Sequence, residues 1–383
     1  MDFSLSKEQQ DIKMAAREFA EKEFPQVAQE CDENEKMDMA LLKKARELGF
    51  VGTHLPEEYG GFGMSYFEKA LITEEFWRMD PGVAQSILSV TFGSEIIVEH
   101  GTDEQKKKYL PHLIQGNGII AGAITEPNAG SDVTMVETRG VRDGDEYVIN
   151  GSKMFITNGT LADIIILFCK TNPEAESRHR QFSCFIVETD TKGFEANKLK
   201  NKLGIRASDT AELSFSDLRV PAENLIGNEG DGFRQILTLF NRERTAICAQ
   251  ATGLAQGALD QAVSHIKQRE QFGKTIASFQ AIRFKIAELA TLVEANRSIF
   301  YRACWSLDSG QEDHTLIAMA KWFCAQNAVT ITQECLQMHG GYGFLNEYDI
   351  ARFYRDCKIL EIYEGTKEME KQVISNAILG KAN

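Results

Sequence analysis

The period of the hydrophobic pattern changes twice along this chain, and those two changes limit its fold more than any other feature. Residues 1–120 read as helical. Ser6 with Gln9 makes a capping-box start, and Ile12, Ala15, Ala16 and Phe19 follow at i, i+3, i+4 and i+7, which places them on one helix face. Thr102 with Gln105 opens another helix. From about Ile120 short β-prone runs replace this spacing: EYVIN, ADIIILF, QFSCFIVE and AELSFSDL, separated by turn residues such as Arg142-Asp143-Gly144-Asp145. After Asn228-Glu229-Gly230-Asp231-Gly232 the helical period returns and continues to the end. The last helix is expected to start at an N-cap Thr366 and to bury a stripe of Met369, Val373, Ile374, Ala377 and Ile378. A mostly α chain with a central β domain is expected: a helical domain over 1–120, a β domain over 121–232 and a second helical domain over 233–383.

Composition excludes several functions. The 383 residues are 43% hydrophobic, ample for a large core. Asp and Glu outnumber Lys and Arg by 56 to 42, a formal charge of -14 with no basic stripe, which argues against nucleic acid as a partner. The eight cysteines, Cys31 to Cys357, show no C-x-x-C pair and no nearby histidine, so no metal is expected. Cys169 in IIILFCK and Cys184 in FSCFIV read as small buried hydrophobes in a reducing compartment. The start MDFSLSKEQQ lacks the basic and apolar regions of a signal peptide, and no apolar run is expected to cross a membrane. A cytoplasmic location is expected.

Three constellations offer ligand chemistry. In AITEPNAGSDV, residues 123–133, and NGSKMFITNG, residues 150–159, small residues at Ala129, Gly130 and Ser131 permit close approach of a ligand. Thr125 and Thr157 bring hydroxyls and Phe155 a flat face, although turn material and a core aromatic explain the same residues. In QREQFG, Arg269 suits a phosphate and Phe272 a base, with Gln280 further on; a solvated Arg at a helix end reads equally well. In MHGGYG, Gly340 and Gly341 permit a helix end that meets an anion, or a plain C-cap.

Taken in order, ITEPNAGSD, KMFITNG, FSDLRVPAENLIG at residues 215–227, QFGK, QMHGGYGF and IYEGT resemble the flavin-dependent acyl-CoA dehydrogenases over essentially the whole chain. The resemblance implies an N-terminal helical domain, a β-barrel-like middle domain and a C-terminal four-helix bundle. It further implies one FAD per subunit, a homotetramer, an acyl-CoA substrate and electron transfer to an electron-transfer flavoprotein. By position, Ile124, Thr125, Gly130, Ser131, Phe155 and Thr157 would line the flavin ring, with Thr366 also facing the cofactor. Arg269, Phe272, Gln280, Gln337, Gly340 and Gly341 would hold its adenine and pyrophosphate part, some of them across a subunit interface.

In CKILEIYEGTKEMEK an apolar run stops at Glu364, and Gly365-Thr366 follows. A saturated thioester yields its α-proton reluctantly, so a base must be held against that carbon while hydride leaves the β-carbon for flavin N5. The resemblance assigns that base to Glu364; a carboxylate facing the final helix dipole is the plainer reading. Burial should raise its pKa and the helix N-terminus lower it, with desolvation expected to win. Glu243 occupies the place from which some relatives supply the base, and two such anions together would raise one pKa strongly. Ser131, Asn241, Arg244, Tyr363 and Gly365 are expected at the substrate, with Asn241 standing where several relatives have Asp. The acyl pocket would draw on residues 82–92, including Leu88 and Thr91, a stretch without Arg or Lys. An uncharged acyl group is therefore expected: short, branched or alicyclic, cyclohexane-1-carboxyl among them. An oxidase returning electrons to O2 usually has a further C-terminal domain, and the chain stops at Lys381-Ala382-Asn383. A non-catalytic acyl-CoA-binding protein would be expected to have lost the carboxylate or the flavin contacts.

Overall fold

The computed structural model describes residues 4–115 and 118–380. Seven helices come first: α1 (Lys7–Glu23), α2 (Ala28–Asn34), α3 (Met39–Glu47), α4 (Tyr66–Met79), α5 (Pro81–Leu88), α6 (Ser94–His100) and α7 (Asp103–Gln115). Reciprocal capping boxes start α1 at Ser6/Gln9 and α4 at Ser65/Glu68, each satisfying backbone N–H groups that helical bonding leaves free. On α1, Ala16, Phe19 and Ala20 are buried and Ile12 half-buried, whereas Ala15 faces solvent; the inner face is rotated slightly from the expected one. Phe19 meets Phe24, Phe50 and Phe76 at ring separations of 5.1 to 6.0 Å, an aromatic centre for this domain.

One run, Pro81–His100, reaches membrane-spanning length and apolarity, contrary to the sequence expectation. It is broken into α5, a 3-10 turn and α6, and 83% of its most apolar window is buried inside the protein.

The middle of the chain forms one curled seven-stranded sheet: β1 (Ile120–Ala123), β2 (Arg139–Asp143), β3 (Glu146–Thr157), β4 (Ile164–Lys170), β5 (Phe182–Glu188), β6 (Phe194–Lys198) and β7 (Thr210–Pro221). β4 is fully buried over six residues and is an inner strand, antiparallel with β5 and parallel with β1 along Ile164–Leu167, then with β2 at Lys170. β3 and β7 form the long antiparallel pair, and their register slips between Lys153 and Ile156. That slip is a bulge, which re-aims the residues within it.

The C-terminal part holds α8 (Gly232–Gln268), the two-residue strands β8 (Glu270–Gln271) and β9 (Lys274–Thr275), α9 (Gln280–Asp308), α10 (His314–His339), α11 (Asp349–Asp356) and α12 (Lys367–Leu379). α8, α9 and α10 pack on one another and α12 packs on α10, giving a four-helix bundle. α4 also lies along α8, at close range: a Cβ on Gly253 would come within 2.1 Å of the Glu74 carbonyl oxygen and one on Gly257 within 2.0 Å of that of Arg78. The expected inner stripe of α12 is only partly covered within one chain. Met369, Val373 and Ile374 are half-buried, Ala377 is exposed and Ile378 is 68% exposed, while the buried residue of this helix is Glu370. The eight cysteines are free and buried.

Candidate active site

Glu364 sits where a 3-10 turn ends and the N-cap of α12 begins, with Thr366 accepting the Met369 N–H at 3.3 Å. Its φ is +53°, a conformation that costs a non-glycine residue stability and that surroundings must enforce. They do so with two cations: Arg244 Nε donates to the Glu364 carbonyl at 3.1 Å, and Lys321 Nζ donates to that of Gly365. Gly365 has φ +103°, and a Cβ there would lie 2.2 Å from Glu370 Oε1, so only glycine fits. Arg244 Nη1 also donates to Asn241 Oδ1 at 2.8 Å, and its Nε lies 3.0 Å from Glu370 Oε1. Arg244 and Asn241, expected at the substrate, are thus turned toward each other and toward this segment.

The Glu364 Oε2 atom is buried and has no hydrogen-bond partner among the described residues. Burial, and then the like charge of Glu243, push this carboxyl up to about 8 against the pull of Arg244 and Lys321. Glu370 is raised to about 7 and Lys321 lowered to about 8, both chiefly by burial.

Glu243 is differently placed. Its Oε1 accepts from Lys69 Nζ at 2.7 Å, and Lys69 lies 3.3 Å from Glu95, which meets His54 at 3.0 Å. One buried carboxylate is therefore partnered and the other bare.

Hydrogen bonds tie the expected substrate segment 82–92 to the end of β3 on one side and to Tyr363, the residue before Glu364, on the other. Asn158, next to Thr157 on β3, donates to the Ser89 carbonyl at 3.0 Å, adjoining Leu88 in the 82–92 segment. From the same segment Gln85 accepts from Gln250 at 3.3 Å, and the Tyr363 hydroxyl donates to Gln250. Thr91 is buried within this segment. The loop after β1 is locked by the fully buried Lys153, whose Nζ donates to the Ile124 carbonyl and to Glu126 Oε1, each at 2.8 Å. Glu126 in turn accepts the N–H groups of Glu137 and Thr138. Gly130 and Ser131 are exposed, Thr125 and Thr157 half-buried and Ile124 buried. At the bulge Phe155 takes φ +63° and stands 66% exposed, an aromatic face offered outward at a backbone cost.

Arg269, Phe272, Gln280, Gln337, Gly340 and Gly341 form a separate cluster, all exposed. Arg269 lies over the Tyr342 ring at 5.4 Å, His265 stacks on His339 at 4.5 Å, and no atom lies within 4 Å of a Cβ built on Gly340 or Gly341. Arg244 lies on α8 and Arg269 caps its far end, a separation of about 37 Å by the helix rise of ~1.5 Å per residue. In one chain the second cluster is therefore far from Glu364.

Sequence reasoning missed Lys69, Lys153, Gln250, Lys321 and Glu370. A charge inside an apolar stripe was the available signal, as in AMAKWFCA around Lys321.

Three family domains match the chain: "Acyl-CoA dehydrogenase, N-terminal domain" over residues 6–117, the middle domain over 121–218 and the C-terminal domain over 230–379. The chain is 42% identical over 382 residues to the acryloyl-CoA reductase (NADH) of Anaerotignum propionicum, covering 99% of this chain and 96% of the relative. Among solved structures, butyryl-CoA dehydrogenase from Megasphaera elsdenii superposes with a TM-score of 0.94 at 38% identity, over 99% of this chain and 100% of that one. A chain in the structure described as the electron transferring flavoprotein of Acidaminococcus fermentans, towards a mechanism of flavin-based electron bifurcation, superposes with a TM-score of 0.95 at 40% identity over 100% of both chains.

Proposed function

This chain belongs to the acyl-CoA dehydrogenase family and is an FAD-dependent enzyme of it, and from that premise we propose that it desaturates the Cα–Cβ bond of a short, uncharged acyl-CoA with Glu364 as the base. The observation that carries this reading is the bare, buried Oε2 of Glu364 on a peptide clamped by Arg244 and Lys321. The exposed Phe155, the open Gly130 and the open Gly340-Gly341 pair fit a flat ring and a pyrophosphate, so the residues present suit FAD. When bound, FAD supplies the hydride acceptor.

The remaining chemistry falls to the protein. Glu364 takes the α-proton onto Oε2, which no described residue competes for. Arg244 and Lys321 hold its backbone in the strained conformation that aims the carboxylate, so little reorganisation is left to the transition state. The Glu364 N–H is the proposed donor to the thioester carbonyl oxygen, where enolate-like charge develops. Glu243, fixed by Lys69, is not the base.

A short acyl group is supported by the butyryl and acryloyl names of the similar proteins, and an uncharged one by the absence of Arg and Lys from residues 82–92. Electron transfer to an electron-transfer flavoprotein is supported by the Acidaminococcus neighbour. A homotetramer is supported by the distance between the two cofactor clusters and by exposed Phe272, Phe344 and Leu379.

The test is anaerobic single-turnover bleaching of the flavin by butyryl-CoA. Glu364→Gln is expected to slow it about 10²- to 10⁴-fold, the usual contribution of a positioned base; bleaching at the parent rate removes Glu364 from the role. A panel with branched and cyclohexane-1-carboxyl thioesters ranks the acyl groups, and peroxide formed in air at the full turnover rate would indicate an oxidase.

A further inference from the structure

We propose that Lys69 is a positioning residue of this reaction: by pairing with Glu243, which directly precedes the Arg244 that holds the Glu364 carbonyl, it fixes that carboxylate beside the site as a charge facing Glu364 that does not compete for the proton. The inference rests on the reading of Glu364 as base.

Four buried or nearly buried groups from four parts of the chain build the arrangement. Lys69 extends from α4 toward α8 and meets Glu243 Oε1 at 2.7 Å. Its other carboxylate neighbour, Glu95 on α6, is anchored independently, by His54 Nε2 at 3.0 Å and by the Gly93 N–H at 3.1 Å. Glu95 thus has partners of its own, whereas Lys69 is the one cation paired with Glu243 among the described residues. The close approach of α4 to α8 at Gly253 and Gly257 brings the ammonium within reach.

The balance of charge determines which carboxyl holds a proton. Burial alone lowers an ammonium pKa, yet Glu243 and Glu95 hold Lys69 above its ordinary value, so it stays charged. Burial raises Glu243 and Lys69 pulls it back part of the way, while Glu95 adds like charge. The groups facing Glu243 are Lys69 and Tyr66 on α4, Glu95 on α6, His54 before it and Glu364 across the site, with Glu99, His100 and Arg242 lining the same pocket. Glu364 is faced by Arg244 and Glu243 on α8, Lys321 on α10, Glu95 on α6 and Glu370 on α12 by way of Arg244 and Gly365. Without Lys69, Glu243 and Glu95 would be two buried anions with one histidine between them, and the proton would go to Glu243, which has no other cation paired with it among the described residues. A neutral Glu243 no longer opposes ionisation of Glu364, whose pKa then falls.

The holoenzyme tests this in two measurements. The first is the pH dependence of single-turnover flavin bleaching by saturating butyryl-CoA in the parent, Lys69→Met and Glu243→Gln. Both variants are expected to move the acid limb to lower pH, by about one unit for strongly coupled carboxylates; an acid limb that stays in place or moves to higher pH overturns the proposal. The second is the infrared C=O band of protonated carboxyls, read at a pH below the acid limb of every variant, where Glu364 is protonated throughout. Lys69→Met should gain one band, and adding Glu243→Gln should remove it; removal by Glu95→Gln instead overturns the proposal. If Lys69→Met does not fold, Glu243→Gln decides through the acid limb, because Lys69 there keeps Glu95 as partner. Glu364→Gln run in parallel separates the two failures: bleaching at the parent rate condemns the base itself, whatever the Lys69 variant does.

Discussion

At the scale of single residues, the site depends on two consecutive left-handed conformations, Glu364 at φ +53° and Gly365 at +103°. The first is held by a guanidinium and the second is open only to glycine. Gly365→Ala combines an unfavourable φ with a Cβ driven against Glu370, and is expected to cost about 1–3 kcal/mol in urea unfolding and to displace the carboxylate, seen as slower flavin bleaching. Glu364 also gives a pH signature of stability. Its folded pKa of about 8 lies above the unfolded value near 4.3, so the unfolded chain ionises first as pH rises and the folded state loses stability between those values. Below the lower value the group contributes nothing, and above the upper one the loss is constant. Glu364→Gln should therefore gain Tm relative to the parent progressively from pH 5 to pH 8, with no gain at pH 4, in holoenzyme thermal scans.

At the scale of elements, strand β3 and helix α8 position the two halves of the chemistry. The bulge between Lys153 and Ile156 turns Phe155 outward while Lys153 points inward to tie down the loop that carries Thr125, Gly130 and Ser131. Lys153→Met would leave Glu126 buried without its cation, and we expect about 3–5 kcal/mol of destabilisation by denaturant titration together with weaker flavin retention. Helix α8 carries Glu243 and Arg244 near one end and leads to Arg269 beyond the other. Its 37 residues are too long for both ends to reach one cofactor in the same subunit.

At the scale of the whole molecule, large apolar side chains remain outside: Phe272 is 92% exposed, Phe344 89% and Leu379 83%. A second copy would cover them and bring an Arg269 cluster to another subunit's Glu364, which is the physical case for an assembly of two or more subunits. Light scattering coupled to size exclusion is expected to report four subunits, and Phe272→Asp to lower that number and release flavin. An unchanged assembly that still loses flavin would confine Phe272 to cofactor binding.

Local pattern was enough to find the three-part chain, the capping boxes at Ser6 and Thr102 and the carboxylate that interrupts an apolar run at residue 364. These arise from neighbours within a turn or a strand, which sequence displays directly. The partner of Glu243 lies 174 residues away and that of Gly365 44 residues away, and neither periodicity nor spacing encodes such pairs. Which of the two carboxylates is bare and which is tied was decided by the packing of α4 and α10 on α8, because Coulomb energy and desolvation depend on distance in space and not along the chain. For the same reason the stripe on α12, legible as apolar, was assigned to the interior by pattern and left half outside by the fold.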